Sequence, residues 1–239
     1  MLFPIGLLAC SRGLQQESTA LPSSGWLRYH GDRMTKLSLF AILCSASFAA
    51  DAGWTQLFNG KDFTGWKVNE NTATFTIQDG AIVAHGPRSH CFYVGDFANH
   101  RFKNFELMVD VMTLPKSNGG VYIDTEYQDS GWPAKGFEVQ VNNTFPGDPR
   151  RTGSLYEVQD VHAQLVKDNE WFTEDIIAKD NTITVKVNGR EVVHWTQPPD
   201  WNGTKDFPGR RIGPGTIALQ GHDPGSTVFY KNIRIRLLN

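Results

Sequence analysis

The chain has 239 residues, of which 40% are hydrophobic and 20% charged, and its formal net charge is -2. This composition is typical of a globular protein and excludes a disordered or fibrous chain. Because there is no long run of charges of one sign, nothing in the sequence favours binding to nucleic acid or to an anionic membrane surface.

The first feature along the chain is a secretory signal pattern in residues 34–52, MTKLSLFAILCSASFAADA. A lysine follows Met34, an apolar run extends from Leu37 to Phe48, and small residues then stand at the spacing that signal peptidase prefers. The apolar run is shorter than the ~18 residues of a membrane span, which argues against the alternative of an anchor helix. The pattern predicts export to the periplasm or the extracellular space, with no membrane span in the mature chain.

Because this signal begins at an internal methionine, we expect translation to start at Met34 and residues 1–33 to be leader sequence that is not translated. The competing interpretation is a lipoprotein signal ending at Cys10, although that stretch lacks a basic start. On the first interpretation residues 53–239 form a single domain in which Cys91 stands alone, so no disulfide can form within it. We expect Cys91 to be a small strand residue and not a nucleophile.

From Trp54 onward, apolar and polar residues alternate as they do in strands. Tight hairpin turns are predicted at Asp79-Gly80 and Asn188-Gly189, because these residue types accept positive φ. Roughly a dozen short strands predict an all-β fold, either a sandwich or a barrel. The remaining strands are predicted in FKNFELMVDVMTL, GGVYIDTEY, GFEVQV, TGSLYEV, EDIIAKD, GTIALQG and STVFYKNIRIRLL.

Two longer loops interrupt the predicted strands, and each carries a tryptophan, Trp132 or Trp201. Long loops in a compact all-β fold are often functional. The two indoles are candidates for stacking on sugar rings, and the alternative is packing within their own loops.

Three predicted strands carry polar side chains opposite their apolar face. These side chains are carboxylates, amides, a tyrosine and a histidine, which suit a polar ligand such as a sugar. The alternative is a solvated outer face. We predict a shared carbohydrate site from the polar positions Tyr122, Asp124 and Glu126, Glu138 and Gln140, and Gln220 and His222.

His222 ends a predicted strand and precedes Asp223, a context in which a histidine can act as general acid or base. The alternative is a structural histidine bonded to a loop carbonyl, and His162 is a second candidate. No histidine or cysteine pair has the spacing of zinc ligands, so no metal ligand is assigned. Oxygen ligands for a divalent cation, Ca²⁺ or Mg²⁺, could come from Asp124, Glu126, Glu138 and Asp223.

Several stretches together resemble the 3-keto-disaccharide hydrolase domain family: LFNGKDFTGW, GFEVQV, TGSLYEV, NEW, VKVNGREV, GTIALQGHD and VFYKNIRIRLL. The resemblance spans nearly all of residues 54–238. It implies a concanavalin A-like jelly roll, a sandwich of two antiparallel sheets. It also implies an exported enzyme that acts on glycosides whose sugar is oxidised at C3. The positions that match the family pattern are Glu138, Gln140, Gly153, Tyr156 and His222.

Three positions depart from the pattern. Asp124 stands where an arginine is usual, and Phe172 stands where asparagine is common. The usual FRNI near the end reads FYKNI, so Lys231 or Tyr230 stands in the arginine region. These departures bear on the details of the substrate and on the activity.

The implied reaction is removal of the C2 proton beside the ketone, elimination of the aglycone from C1, and addition of water. In this scheme His222 is the base, Glu138 orients it or serves as acid, and Gln140 and Tyr156 hold the enolate or hydroxyls. Further substrate contacts are predicted for Tyr122, Asp124, Gln220, Trp132 and Trp201. The sequence leaves open a non-catalytic, lectin-like carbohydrate-binding module, whereas the E-x-D-x-x-E strand of retaining glucanases is absent from it. The predicted partner is a small carbohydrate, and the oligomeric state is not determined by the sequence.

Overall fold

The computed structural model describes residues 53–239, and within this range the chain is all-β. The predictions about a leader and a signal peptide concern residues 1–52 and lie outside the described residues. The described strands, in chain order, are β1 Thr55–Gln56, β2 Trp66–Val68, β3 Phe75–Gln78, β4 Ala81–Ala84, β5 Ser89–Tyr93, β6 Phe105–Thr113, β7 Asn118–Thr125, β8 Phe137–Asn142, β9 Phe172–Lys179, β10 Thr182–Val187, β11 Arg190–Thr196, β12 Thr216–Gly221 and β13 Val228–Leu237. Short 3₁₀ helices occupy Thr72–Thr74 and Phe97–His100.

The strands form two antiparallel sheets. The larger sheet has eight strands in the order β11-β10-β9-β6-β13-β4-β3, and β1 pairs with β13 beside this path. The smaller sheet has five strands in the order β2-β5-β12-β7-β8. This arrangement confirms the predicted sandwich of two antiparallel sheets.

Both predicted hairpins are present. β3 pairs with β4 across Asp79-Gly80, where φ is +50° and +76°. β10 pairs with β11 across Asn188-Gly189, where φ is +49° and +77°. The positive φ values explain why the sequence places Asp or Asn and then Gly at these turns.

The core lies between the two sheets. From the smaller sheet, Val121, Val139 and Leu219 point inward, and from the larger sheet Leu107 and Ile176 meet them in the same apolar cluster. Each of these side chains is fully buried, which favours folding by ~1.5–3 kcal/mol per side chain. The two-residue alternation therefore leaves the intervening residues of the smaller sheet on its outer face.

The predicted strand TGSLYEV differs in the structure. Residues 152–156 hydrogen-bond along the free edge of β8, with Gly153 N–H donating to the carbonyl of Gln140 and Tyr156 N–H to that of Glu138, but they form no regular strand. Gly153 has φ +88° and Glu157 φ +59°, and these values interrupt the extended backbone. The segment nevertheless covers the edge of the sheet, which would otherwise expose unpaired backbone groups.

Three long connections lie around the outer face of the smaller sheet: residues 126–136, 143–171 and 197–215. They follow strands β7, β8 and β11 and supply the walls of the cavity described below. Within the described part of the chain, no helix has the length and apolar character needed to cross a membrane.

Candidate active site

A cavity of about 180 Å³ opens on the outer face of the smaller sheet. Strands β7, β8 and β12 form its floor, and the three long connections form its walls. Its lining residues are Asn118, Tyr122, Trp132, Glu138, Gln140, Asp148, Tyr156, Phe207, Gln220 and His222. The structure thus brings together the sequence-predicted site residues except Asp124, Glu126 and Trp201, which do not line this cavity.

Strand register explains why these distant residues meet. Tyr122 on β7 is paired with Glu138 on β8 and, on its other side, with Ala218 on β12. Alternation then places Gln140 and Gln220 on the same face, two residues further along their strands. Gly120 lies opposite Gln140, and a Cβ atom there would stand 2.8 Å from Oε1 of Glu138. The glycine therefore leaves room for the Glu138 carboxyl group.

Glu138 lies at the centre of the floor with both carboxyl oxygens hydrogen-bonded. The Tyr122 hydroxyl donates to Oε2 at 2.7 Å, and Nε2 of Gln220 donates to Oε1 at 2.8 Å. The same amide group lies 3.3 Å from the Tyr122 hydroxyl, so the three side chains form one network. A network of this kind in a buried site fixes the position of each member.

Burial raises the pKa of Glu138 above its ordinary value, and the hydrogen bond from Tyr122 and the charge of Arg210 only partly oppose the effect. The pKa of Tyr122 is also well above its ordinary value, because the phenol is buried and faces Glu138. The site can therefore hold a proton on its central carboxyl group at a higher pH than a solvated glutamate can.

His222 lies at the edge of the cavity, where β12 ends. Its Nδ1 is 2.7 Å from Oδ2 of Asp223, so the neighbouring carboxylate holds one side of the imidazole. The ring also packs against Trp132 and Phe145, at centroid distances of 5.3 Å and 5.5 Å. A histidine held at Nδ1 by a carboxylate and reaching a cavity has the arrangement of a general base.

Several amide atoms in the cavity have no internal partner. Both Oε1 and Nε2 of Gln140, Oε1 of Gln220 and Oδ1 of Asn118 are buried without a hydrogen-bond partner among residues 53–239. An unsatisfied buried polar group costs ~1–3 kcal/mol, so such groups call for a partner. In a cavity they are suited to bind the hydroxyl and carbonyl groups of a polar ligand.

The walls of the cavity are aromatic. Trp132, Tyr156 and Phe207 line it, and the rings of Tyr156 and Phe207 lie 6.2 Å apart in an edge-to-face arrangement. The guanidinium of Arg150 lies 4.5 Å from the centre of the Tyr156 ring, and burial raises the pKa of that phenol to about 12. Aromatic faces beside amide groups are the usual elements of a sugar-binding site.

Asp124 and Trp201 lie outside this lining. Asp124 is buried near the end of β7 with φ +54°, a backbone conformation that breaks the strand's alternation, and burial raises the pKa of its carboxyl group. The Trp201 indole donates to the carbonyl of Arg210 at 2.6 Å and packs edge-on against Trp195 at 5.1 Å. Trp201 thus packs within its own loop region, which was the alternative stated for it.

The remaining sequence candidates also have defined positions. His162 is exposed, with Nδ1 3.3 Å from the carbonyl of Pro149, and does not line the cavity. Cys91 is buried on β5, and burial raises the pKa of its thiol. Among the described residues no group of three or more His, Cys, Asp and Glu side chains could hold a metal ion, and Glu126 is paired with Lys135 at 2.6 Å.

Comparison with known proteins identifies the family of this chain. The model of the 3-keto-alpha-glucoside-1,2-lyase-like domain family matches residues 53–236. The chain belongs to this family. A curated relative, the 3-keto-disaccharide hydrolase of Bacteroides thetaiotaomicron, is 26% identical, and the match covers 83% of each chain.

Two solved structures share the sandwich fold of this member of the 3-keto-alpha-glucoside-1,2-lyase-like family. A crystal structure from Parabacteroides distasonis, described as a candidate glycosyl hydrolase, is 25% identical with a TM-score of 0.66 and covers 79% of this chain and 95% of its own. The carbohydrate binding module CBM66 from Bacillus subtilis shares the fold at 11% identity, with a TM-score of 0.52 over 73% of this chain and 97% of the module.

Sequence reasoning missed Asn118, Asp148, Phe207 and Arg210. Arg210 is buried, donates to the carbonyl of Tyr156, and holds its guanidinium 4.1 Å from the centre of the Phe207 ring. Phe207 and Arg210 lie in the Pro- and Gly-rich loop that was singled out only for its tryptophan. The length of that loop was the available signal, but no pattern in it indicates which residues reach the cavity.

Proposed function

We propose that this protein cleaves glycosides whose sugar carries a ketone at C3, by base-catalysed elimination of the aglycone followed by addition of water. The observation that carries the proposal is the meeting, in one cavity, of a carboxylate-held histidine and a buried, hydrogen-bonded glutamate. Membership of the 3-keto-alpha-glucoside-1,2-lyase-like family and the name of the Bacteroides relative support the same chemistry.

The first step is removal of a proton. A ketone at C3 makes the C2 proton acidic, and Nε2 of His222 accepts it while the electron pair of the C2–H bond forms an enolate. The enolate then re-forms the ketone, the C1–O bond breaks, and a C1=C2 double bond results. The aglycone oxygen takes a proton and leaves as an alcohol. Water adds its oxygen to C1 and a proton to C2, so the net change is hydrolysis.

In this proposal Glu138 supplies the proton to the leaving oxygen. Its pKa is raised by burial, so a fraction of the carboxyl groups stays protonated nearer to neutral pH than in a solvated glutamate. Tyr122 and Gln220 fix the carboxyl group in position through their hydrogen bonds.

In this proposal the amide group of Gln140, which has no partner within residues 53–239, donates to the C3 oxygen as it becomes an enolate. The free oxygens of Gln220 and Asn118 accept hydrogen bonds from sugar hydroxyls. The aromatic walls, Trp132 and Tyr156 among them, cover the faces of the ring and exclude water from the reacting atoms.

An ordinary glycosidase mechanism has less support. It needs two carboxyl groups that flank the glycosidic bond in a defined geometry. The second carboxylate that lines the cavity, Asp148, is bound by Arg150 through the backbone N–H at 2.8 Å and the guanidinium at 3.3 Å. The elimination route needs no such pair.

The test is incubation of the purified protein in D₂O with 3-keto-trehalose and, separately, with trehalose, with the products read by mass spectrometry and NMR. Elimination and hydration place one deuterium at C2 of the released 3-keto-glucose, whereas direct displacement at C1 leaves hydrogen there. Free 3-keto-glucose kept in the same buffer for the same time controls for spontaneous exchange.

Cleavage of the keto sugar alone, with early C2 deuteration, is the expected result. Cleavage without deuterium would refute the elimination route. Binding of either sugar without cleavage would refute the enzyme and favour a lectin-like binding module instead.

A further inference from the structure

The geometry points to Ser226 as a positioning residue for the base. Through Asp223, its hydroxyl holds His222 in the tautomer whose Nε2 can accept a proton. This inference rests on the proposed function for its catalytic consequence, but the hydrogen-bonded chain stands independently of any substrate.

The hydrogen-bonded chain begins on strand β7. The backbone N–H of Asn118 donates to Oγ of Ser226 at 2.9 Å, and Oγ lies 2.7 Å from Oδ2 of Asp223. The same Oδ2 is 2.7 Å from Nδ1 of His222. Four groups from two elements, separated by 108 residues in sequence at the first contact, thus form one continuous path to the imidazole.

The direction of each hydrogen bond follows from its donor. A backbone N–H can only donate, so the Ser226 hydroxyl accepts from Asn118 and directs its own proton to Asp223. Burial by itself raises the pKa of Asp223, but the hydrogen bonds from Ser226, His222 and the Gly225 N–H outweigh it and lower that pKa. Asp223 is therefore an ionised acceptor, and the hydrogen on His222 must reside on Nδ1.

The tautomer determines the chemistry. With hydrogen on Nδ1, the lone pair is on Nε2, the ring nitrogen that is free to act as the base. Ser226 is almost fully buried, whereas the side chain of Asp223 is 32% exposed. Without Ser226 the carboxylate would keep the Gly225 contact and lose its tie to β7, so it could rotate away from the imidazole.

The turn offers a matched control in a second buried serine. Oγ of Ser117 accepts the backbone N–H of Thr227 at 2.8 Å, so it ties the same turn to the segment before β7. This hydrogen bond does not involve Asp223 or His222. Ser117→Ala therefore removes a comparable buried hydrogen bond without touching the proposed chain.

The first experiment measures the tautomer directly, by NMR of the intact protein with ¹⁵N-labelled histidine. We expect His222 in the wild type to carry its hydrogen on Nδ1 at neutral pH, and this preference to weaken in Ser226→Ala but not in Ser117→Ala. A wild-type His222 with its hydrogen on Nε2 would overturn the inference even if no variant folds.

The second experiment measures turnover of 3-keto-trehalose across pH. Ser226→Ala should lower kcat by roughly 5- to 30-fold with KM changed less than about 2-fold, because positioning acts on the reacting step. In an Asp223→Asn background, Ser226→Ala should cost less than about 2-fold more, since the two residues act in series. The positioning role of Ser226 would be refuted if the losses of kcat in Ser226→Ala and Asp223→Asn multiply in the double variant. It would also be refuted if Ser226→Ala and Ser117→Ala lose kcat equally.

Other titratable groups near His222 also contribute to the pH dependence of kcat. These are Asp223 on the same turn, Glu138 on the cavity floor, His90 behind Trp132, and His85, whose Nδ1 lies 3.1 Å from the Ser226 carbonyl. We expect the part of the pH dependence of kcat that reflects the base to shift in Ser226→Ala and to stay unchanged in Ser117→Ala. If no variant, including wild type, cleaves the keto sugar, the proposed function fails while the tautomer measurement still decides the positioning.

Discussion

Two histidines lie against the same indole and differ in every property that matters for catalysis. The ring of Trp132 is 5.3 Å from the ring of His222 and 5.6 Å from that of His90. His222 follows β12 and reaches the cavity, whereas His90 lies within β5 and is fully buried. They share residue type and aromatic neighbour, so their differences isolate what the rest of the local environment contributes.

The first difference is the hydrogen-bond partner. His222 has Asp223 at 2.7 Å, while neither ring nitrogen of His90 has a partner in the described part of the chain. The second difference is solvent. Burial lowers the pKa of His90 to about 3, so its ring stays neutral at physiological pH. A base needs both an orienting partner and access to its substrate, and His90 has neither.

The largest expected effect tests the function of His222. His222→Ala should lower kcat on 3-keto-trehalose by ~10²–10⁴-fold, the usual contribution of a general base. His90→Phe, which keeps an aromatic ring beside Trp132, should change kcat by less than about 3-fold, since its site contributes no proton transfer. Steady-state kinetics of both variants check the comparison, and equal losses would show that His222 acts only through packing.

The next effect concerns stability against acid. The folded-state pKa of His90 lies far below that of the unfolded chain, so between about pH 6.5 and its folded value of about 3 the unfolded chain binds more protons at this site. Acidification through that window therefore favours unfolding, by up to ~1.4 kcal/mol per pH unit.

His90→Phe should remove this share of the pH dependence. Urea unfolding at pH 7, 6 and 5 would show it, because the variant and wild type should diverge as the pH falls. His162→Phe, at an exposed position, serves as the control and should follow wild type. Parallel curves for His90→Phe and wild type would mean that His90 is protonated as easily in the folded protein as in the unfolded chain.

The smallest effect tests the residue between the two histidines. Trp132→Ala should raise KM by roughly 2- to 10-fold, which corresponds to the ~0.5–1.5 kcal/mol of an aromatic contact. It should also uncover His90 and raise its pKa toward the ordinary value of about 6.5, a change that histidine NMR can follow. Trp201→Phe, outside the cavity, should change neither quantity, and a shift there would contradict the placement of the two tryptophans.

The sequence by itself determined the sandwich and most of the cavity floor. Alternation is a local property of extended backbone, so Tyr122, Glu138 and Gln220 could be assigned to polar faces from their own strands. The Asp79-Gly80 and Asn188-Gly189 turns could also be predicted from the sequence, because positive φ restricts which residues fit. The partner of His222 is also local, since Asp223 follows it directly in the chain.

The tertiary structure alone decided the rest. Asp124 leaves the shared face because its φ of +54° breaks the alternation from which it was predicted. Asn118 reaches Ser226 only through the pairing of distant segments, and Phe207 reaches the cavity from a loop without periodicity. His90 lies on β5, the strand next to Gln220 of the Glu138 network, and its ring packs against Trp132. Partner and solvent access are set by packing between segments far apart in sequence, whereas the faces of a strand are set by neighbours along it.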